Sequence, residues 1–160
     1  MTKIIDNFLD KKYFEELQKL VLGVEFSWFF QKSVNTNQKD KDLYFYLTHT
    51  LYADDQSNSN FLPAFQPLLD KIDYKKLIRV KVNLYPRTEQ FKVNEPHIDY
   101  TFANKGFLFY FNTCDSKTIL HDCQIDCIEN RGVYFDPTKP HSSSSCTNNK
   151  ARFSVNVNYI

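Results

Sequence analysis

The chain has 160 residues, 42% of them hydrophobic, which is enough to bury a core and is most simply one domain, residues 1–160. Its net charge of +1, without a run of basic residues, argues against nucleic acid as a partner. It lacks an apolar stretch of the roughly 20 residues that span a bilayer, and its first residues lack the apolar segment of a signal peptide. We therefore expect a soluble, cytoplasmic protein with no membrane partner, in an oligomeric state that composition leaves open.

Two helices are predicted in the first half of the chain. Apolar residues recur at helical spacing over 10–22, where Asp10 can cap the start and Gly23 can end the helix. A second helix is predicted over 62–72, with Asn60 as a cap. Its interior Pro67 should either bend this helix or delay its start.

Strands and polar loops alternate with these helices. Alternation of apolar and polar residues predicts strands over 25–31 and 43–52. The polar segments 33–42 and 53–60 are predicted to be loops. Such loops are usually solvated, but they could also close over a substrate.

The second half of the chain is predicted to be a run of short strands with no room for helices. Turn signals such as Asn130-Arg131-Gly132 separate the apolar segments. Eight closely spaced strands favour a mainly β fold, a double-sheet jelly roll or a barrel, with the two early helices buttressing one sheet. The predicted strands are 79–85, 97–102, 107–112, 117–121, 124–128, 132–135, 140–145 and 151–159.

The last predicted strand has a continuous polar face, which a sandwich interior should not have. That face either meets water or lines a polar pocket, and the same choice arises for Asn83 and Tyr85 on the strand 79–85. The polar residues that alternate along the last strand are Arg152, Ser154, Asn156 and Asn158.

The tripeptide His97-Ile98-Asp99, followed much later by His141, contains candidate metal ligands. The short motif alone is weak, but the intervening segment of about six strands can travel around a jelly roll and return beside its start. His141 also opens a predicted strand, which suits a ligand held on rigid backbone. Two imidazoles and one carboxylate are the ligand set of non-haem Fe(II) oxygenases.

Arg152 is the candidate cation for a second ligand. A 2-oxo dicarboxylate that chelates iron needs a cation at its far end, and the arginine fork matches a carboxylate. Ser154 points the same way along the strand and could donate to that carboxylate. The alternative for Arg152 is a surface salt bridge, but its polar neighbours favour a pocket.

With these residues identified, the chain resembles the Fe(II)- and 2-oxoglutarate-dependent dioxygenases, which share a double-stranded β-helix (jelly-roll) fold. The segment 130–136 is similar to the strand and turn that precede the second histidine in prolyl-hydroxylase-like and phage-encoded members. The family's common glycine after that histidine is replaced by Ser142. The resemblance assigns iron to His97, Asp99 and His141, and the co-substrate to Arg152, Ser154 and Tyr85. Asn83, on the same strand face as Tyr85, is predicted to bind the co-substrate as well.

The resemblance implies an oxidoreductase that uses Fe(II), 2-oxoglutarate and dioxygen, with ascorbate as a possible reductant. Such an enzyme hydroxylates its substrate, here a peptidyl side chain or a small metabolite, and releases succinate and carbon dioxide. Asp99 argues against the halogenating subclass, which needs a small residue at this position. A cupin-like domain that binds a metal or sugar without turnover, or a metal-dependent isomerase or hydrolase, is the alternative. Arg152 distinguishes the oxygenase hypothesis from these alternatives, because a cupin does not require an arginine at this position.

Four further polar residues and the four cysteines lie outside the predicted ligand set. His49 shares a strand face with leucines and is predicted to be a core or edge histidine, whereas His121 is predicted to lie at a surface turn. Tyr110 and Asn112 either line the pocket or pack against the helices. The four cysteines, which lack a CxxC pair, are expected to be buried reduced thiols rather than zinc ligands or disulfides: Cys114, Cys123, Cys127 and Cys146.

Overall fold

The fold contains two antiparallel sheets and two short helices. This computed structural model describes residues 2–33 and 45–160. The helices are α1 (Lys11–Leu22) and α2 (Gln66–Leu69), the latter preceded by a 3-10 turn over Leu62–Phe65. The strands are β1 (Lys3–Ile5), β2 (Phe29–Gln31), β3 (Tyr46–Ala53), β4 (Gln56–Ser57), β5 (Leu77–Pro86), β6 (Lys105–Tyr110), β7 (Lys117–Ile119), β8 (Gln124–Asp126), β9 (Gly132–Phe135), β10 (Ser142–Ser143) and β11 (Ala151–Tyr159).

The larger sheet has the strand order β1-β9-β6-β11-β5-β3-β2, with β4 paired to β3. The smaller sheet has the order β10-β7-β8. The segment that leads to His97 runs beside β10, where the backbone N–H of Asn94 donates to the carbonyl of Ser143 at 2.8 Å. Antiparallel strands in two facing sheets make the jelly roll that the strand spacing predicts, so the expected mainly β fold class is confirmed.

One face of the larger sheet packs against the helices. Val80, Val82, Phe107, Phe109 and Val155 are fully buried in one apolar cluster. The helical residues in the same cluster are Phe14, Leu17, Val21, Leu68 and Leu69. Because side chains alternate along a strand, the opposite face of the same strands points toward the smaller sheet. The expected buttressing of one sheet by the helices is therefore observed.

The first helix begins and ends as the sequence predicts. The carboxylate of Asp10 accepts a hydrogen bond from the backbone N–H of Tyr13 at 3.0 Å, which satisfies one of the free donors of the first turn. At Gly23 a Cβ atom would lie 2.7 Å from the carbonyl oxygen of Lys19, so the chain can end the helix tightly only with glycine there.

The second helix is shorter than predicted. The α-helical part spans only Gln66–Leu69, with Pro67 in its first turn, so the proline delays the start of the helix. The prediction that Asn60 caps this element is wrong, because the turn begins after Phe61 and has no side-chain cap.

The strand predicted over 97–102 is not formed, and only an isolated bridge pairs His97 with His141. The strand predicted over 25–31 is reduced to Phe29–Gln31, whereas 43–52 is a strand from Tyr46 onward. The segment 53–60 contains β4 and a tight turn at Asp54 and Asp55, both with positive φ.

Two predictions fall partly outside the described residues, namely the start of the strand at Leu43 and most of the loop 33–42. No helix among the described residues is long and apolar enough to cross a membrane.

Candidate metal centre and co-substrate pocket

A polar pocket lies between the two sheets. The larger sheet contributes the inward-facing residues of β5 and β11, including Asn83, Tyr85 and Ser154. The smaller sheet contributes residues of β7 and β10, including Thr118 and Ser142. The polar face predicted for the last strand therefore lines a pocket, although a larger surface cleft lies elsewhere, around Lys71 and Lys105.

His97, Asp99 and His141 meet at this pocket, with potential ligand atoms all within 4.8 Å of one another. Nε2 of His97 is 3.9 Å from Oδ1 of Asp99, and Nε2 of His141 is 3.9 Å from Oδ2 of the same carboxylate. The backbones of His97 and His141 exchange two hydrogen bonds of 3.0 and 2.9 Å, which places the two imidazoles side by side. No other cluster of this kind is present among residues 2–33 and 45–160.

Both imidazoles can offer a lone pair to the pocket. Nδ1 of His141 is 2.9 Å from the carbonyl oxygen of Lys139, a contact that requires a proton on Nδ1 and leaves Nε2 free. Burial, reinforced by the neighbouring His141, lowers the pKa of His97 to about 4. His97 is therefore neutral near pH 7, which is the form that binds a metal.

Asp99 is held as a carboxylate by three donors. Burial raises its pKa, but the guanidinium of Arg79 and the amides of Asn158 and Asn156 lower it more, to about 2. Nη2 of Arg79 donates to Oδ1 at 2.9 Å, and the two amide groups donate to Oδ2 at 2.9 and 3.0 Å. These contacts fix the orientation of the candidate ligand.

Arg152 lies deeper in the pocket, with only 2% of its surface exposed. Its guanidinium donates to the carbonyl of Lys117 at 2.9 Å and to the hydroxyl of Thr118 at 2.7 Å. Its Cζ atom lies 5.4 and 5.3 Å from the ring centres of Tyr85 and Tyr110. Among the described residues no carboxylate pairs with Arg152, and its Nε has no partner.

The other predicted co-substrate residues surround Arg152. Tyr85 lies over the guanidinium and stacks on Tyr46 with a ring distance of 5.3 Å. Ser154 and Asn83 are buried and line the same pocket, and Oδ1 of Asn83 has no hydrogen-bond partner within the described part of the chain. The structure thus brings all seven predicted site residues into one cavity.

Tyr110 and Asn112, whose roles the sequence left open, have different roles in the structure. The hydroxyl of Tyr110 lies 2.7 Å from that of Thr118, and its ring packs against Arg152, so Tyr110 supports the pocket. Asn112 instead bridges the backbone of Ala151 and Phe153, with hydrogen bonds of 2.8 and 2.9 Å. It braces β11 and does not face the pocket.

The two remaining histidines lie away from the pocket. His49 is buried, with Nδ1 2.7 Å from the carbonyl oxygen of Ser27, and is a core histidine. The side chain of His121 is 47% exposed and lies 3.8 Å from Asp122, as expected of a surface turn. All four cysteines are free thiols, and Cys123 is the one that is only partly buried.

Several residues in or beside the pocket were not singled out from the sequence. Arg79 and Lys81 share a strand face with Asn83 and Tyr85, so the alternation along β5 was a usable signal. Tyr46 and Thr118 come from β3 and β7, and only the tertiary structure brings them to the pocket.

Sequence comparisons identify no relative: no protein-family model and no curated protein matches the chain. Solved structures do match its fold. A prolyl hydroxylase from Trichoplax adhaerens, in complex with a hypoxia inducible factor oxygen degradation domain peptide fragment, has a TM-score of 0.65 and 18% identity over 99% of this chain and 83% of that chain. A Pseudomonas putida prolyl-4-hydroxylase has a TM-score of 0.61 and 14% identity over 99% and 91%. A 2OG-Fe(II) oxygenase family oxidoreductase from Burkholderia pseudomallei has a TM-score of 0.68 and 10% identity over 99% and 84%.

The fold is that of the 2-oxoglutarate-Fe(II) oxygenases. Because the sequence identities are low, the likeness establishes the oxygenase fold and leaves the activity to the chemistry of the pocket.

The residues present suit a divalent metal and a dicarboxylate, the two groups that an oxygenase of this fold needs. A divalent metal requires neutral imidazoles and an ionised carboxylate, and the pKa values of His97 and Asp99 provide those states at neutral pH. A dicarboxylate requires a cation that no internal carboxylate neutralises, and Arg152 is such a cation among the described residues.

Proposed function

We propose that this protein is an Fe(II)- and 2-oxoglutarate-dependent dioxygenase, an oxidoreductase that hydroxylates its substrate. One observation carries the proposal: a single cavity contains both a His-Asp-His cluster and a buried arginine that lacks a carboxylate partner within the described part of the chain. A cupin-like binding domain would need the first feature but not the second.

Each residue has a distinct part in the proposed reaction. His97, Asp99 and His141 hold Fe(II), and Arg152 binds the distal carboxylate of 2-oxoglutarate. Iron and 2-oxoglutarate together supply the activation of dioxygen, with decarboxylation to succinate and carbon dioxide. Tyr85 and Tyr110 enclose the guanidinium between their rings, which excludes water from the carboxylate site and strengthens the ion pair. Ser154 and Asn83 line the same site and offer further hydrogen bonds.

The type of reaction is also part of the proposal. The two prolyl hydroxylases among the similar structures support hydroxylation as the reaction. We propose a peptidyl side chain or a small metabolite as the substrate. The carboxylate of Asp99 occupies the position at which a halogenating enzyme would need room for halide. We further propose that residues 1–160 act as one domain in the cytoplasm and that ascorbate serves as the reductant that keeps iron in the Fe(II) state.

Succinate production from 2-oxoglutarate is the direct test. Purified protein with Fe(II), ascorbate and dioxygen is expected to form succinate slowly even without its substrate, and the variants His97→Ala and His141→Ala should not. If metal binding is absent, or if neither alanine variant weakens it, the oxygenase proposal is wrong. His49→Ala is a matched control, because His49 is a buried histidine outside the pocket.

A further inference from the structure

Lys81 is a cation inside the pocket to which the proposed reaction assigns no role. Its neighbours Val80 and Val82 face the apolar cluster and are fully buried, so the side chain of Lys81 points to the opposite face, where it lines the pocket. β5 is an interior strand, flanked by β11 and β3. The ammonium group therefore cannot reach solvent around a sheet edge.

No residue that the structure describes pairs with the positive charge of Lys81. Its ammonium group forms no hydrogen bond or ion pair with a residue that the structure describes. It lies over the ring of Tyr46, with Nζ 5.8 Å from the ring centre. Among the residues that the structure describes, Asp99 is the carboxylate that lines the pocket, and it is already bonded to Arg79. Burial, together with the charge of Arg79, lowers the pKa of Lys81 to about 8. A half-buried lysine of this kind is unfavourable without an anion beside it.

The charges of the site with Fe(II) and 2-oxoglutarate bound also indicate that an anion is missing beside Lys81. This step rests on the proposed function. Arg79, Lys81 and Arg152 give three positive charges, and Asp99 gives one negative charge. Fe(II) adds two positive charges and 2-oxoglutarate adds two negative charges, so these cancel. Over the residues that the structure describes, the pocket therefore keeps an excess of two positive charges after both groups have bound, which favours a further anion.

An unpaired acceptor lies directly beside this cation. Asn156 is the register partner of Lys81 across β5 and β11. Its Nδ2 donates to Asp99 at 3.0 Å, whereas its buried Oδ1 has no partner among the described residues. A buried acceptor of this kind costs free energy unless a ligand or water donates to it. Residues opposite each other on neighbouring strands have Cβ atoms about 5 Å apart, so one ligand can meet both groups.

We propose that Lys81 and Asn156 form the substrate subsite of this enzyme and that the substrate is an organic anion. The ammonium of Lys81 binds its carboxylate or phosphate, and Oδ1 of Asn156 accepts a hydrogen bond from a neighbouring hydroxyl or amide N–H. Lys81 is thus a specificity-determining residue, and neutral substrates bind poorly.

Selective retention of small molecules tests the subsite. Protein saturated with Fe(II) and 2-oxoglutarate without oxygen is equilibrated with a defined mixture of carboxylic acids, phosphate monoesters, neutral compounds and amines. Retained compounds are then identified by mass spectrometry after ultrafiltration. We expect anions to be retained, with about 10- to 100-fold weaker binding to Lys81→Met, which keeps the length and apolar stem of the side chain but removes the charge.

Two variants separate charge from structure. Lys81→Arg should bind the same anions within a few-fold, and Lys12→Met, which changes an exposed lysine on α1, should behave as the wild type. Retention of carboxylic acids alone identifies the substrate as a carboxylate, and retention of phosphate esters alone identifies a phosphate; both outcomes support the subsite.

Three results would overturn it. The first is preferential retention of neutral compounds or amines, and the second is equal retention of anions by the wild type and Lys81→Met. The third is a parallel loss of 2-oxoglutarate affinity in Lys81→Met, which would assign Lys81 to the co-substrate. Failure of the wild type to bind Fe(II) or 2-oxoglutarate would instead refute the proposed function itself, and the subsite with it.

Discussion

The two faces of β5 and β11 both contain fully buried residues but are chemically opposite. On the face toward the helices, Val80, Val82 and Val155 have no exposed surface. On the face toward the smaller sheet, Arg152 and Ser154 are 2% and 1% exposed. Burying valine stabilises a fold, whereas burying a guanidinium without a carboxylate partner costs free energy. The difference fits our proposal that the polar face serves a ligand and not stability.

The largest expected effect concerns the apolar face. Phe109→Ala removes a fully buried ring from the cluster beneath the helices and should lower the free energy of unfolding by about 3–5 kcal/mol. Chemical denaturation measures this loss. The folded fraction of the variant should bind 2-oxoglutarate as the wild type does. A variant with lost affinity and full stability would contradict the separation of the two faces.

The reciprocal change on the polar face is Arg152→Met. Because it removes a buried cation that has no carboxylate partner among the described residues, stability should be unchanged or higher. The affinity for 2-oxoglutarate, measured by calorimetry with Mn(II) in the site, should fall about 100-fold because a bidentate ion pair is lost. Metal affinity without 2-oxoglutarate should remain. Retained 2-oxoglutarate affinity would refute the role of Arg152.

A smaller effect links the polar face to pH. The lowered pKa of His97, about 4, lies below the value of about 6.5 that an unfolded histidine has. As pH falls from about 6.5 to about 4, the unfolded chain binds a proton that the folded protein does not, so stability falls by up to about 2 kcal/mol. Urea unfolding of metal-free protein across this range measures the slope. His97→Gln should flatten it, and an unchanged slope would show that His97 is not the titrating group.

The smallest effect concerns the support of a metal ligand. Asn158→Ala removes a neutral donor to Asp99 without changing the charge of the site. We expect Mn(II) affinity to fall about 10-fold, because partners that orient a metal ligand contribute to metal affinity. Asn112→Ala is the comparison, since that amide braces β11 from outside the pocket. Equal metal affinity in wild type and Asn158→Ala would mean that Arg79 and Asn156 are sufficient.

Local patterns in the sequence predicted the elements that depend on neighbours along the chain. Helix α1 follows from its apolar spacing, the cap at Asp10 and the stop at Gly23, which act within a few residues. The faces of β5 and β11 follow from strict alternation along each strand. Six of the seven predicted site residues belong to these strands or to the short His97-Ile98-Asp99 motif, and His141 directly precedes β10.

The features that were missed depend on contacts between distant segments. Residues 97–102 alternate like a strand but form no ladder: one bridge pairs His97 with His141, and Asp99 bonds to Pro137 through its backbone N–H and to Arg79 through its carboxylate. Tyr46 and Thr118 reach the pocket because β3 pairs with β5 and β7 pairs with β10, strands that are not neighbours in the chain. Neither position has a local pattern that marks it as part of a site.

The metal centre depends on a backbone bridge between His97 and His141, residues that are far apart in sequence. The two imidazoles approach each other only when the segment before His97 docks beside β10, and the cost of closing so long a loop must then already have been met. A chain in which these two segments have not paired lacks the metal site. Metal binding therefore requires the docking of these segments, and a bound ion stabilises the native state by adding a further link between them.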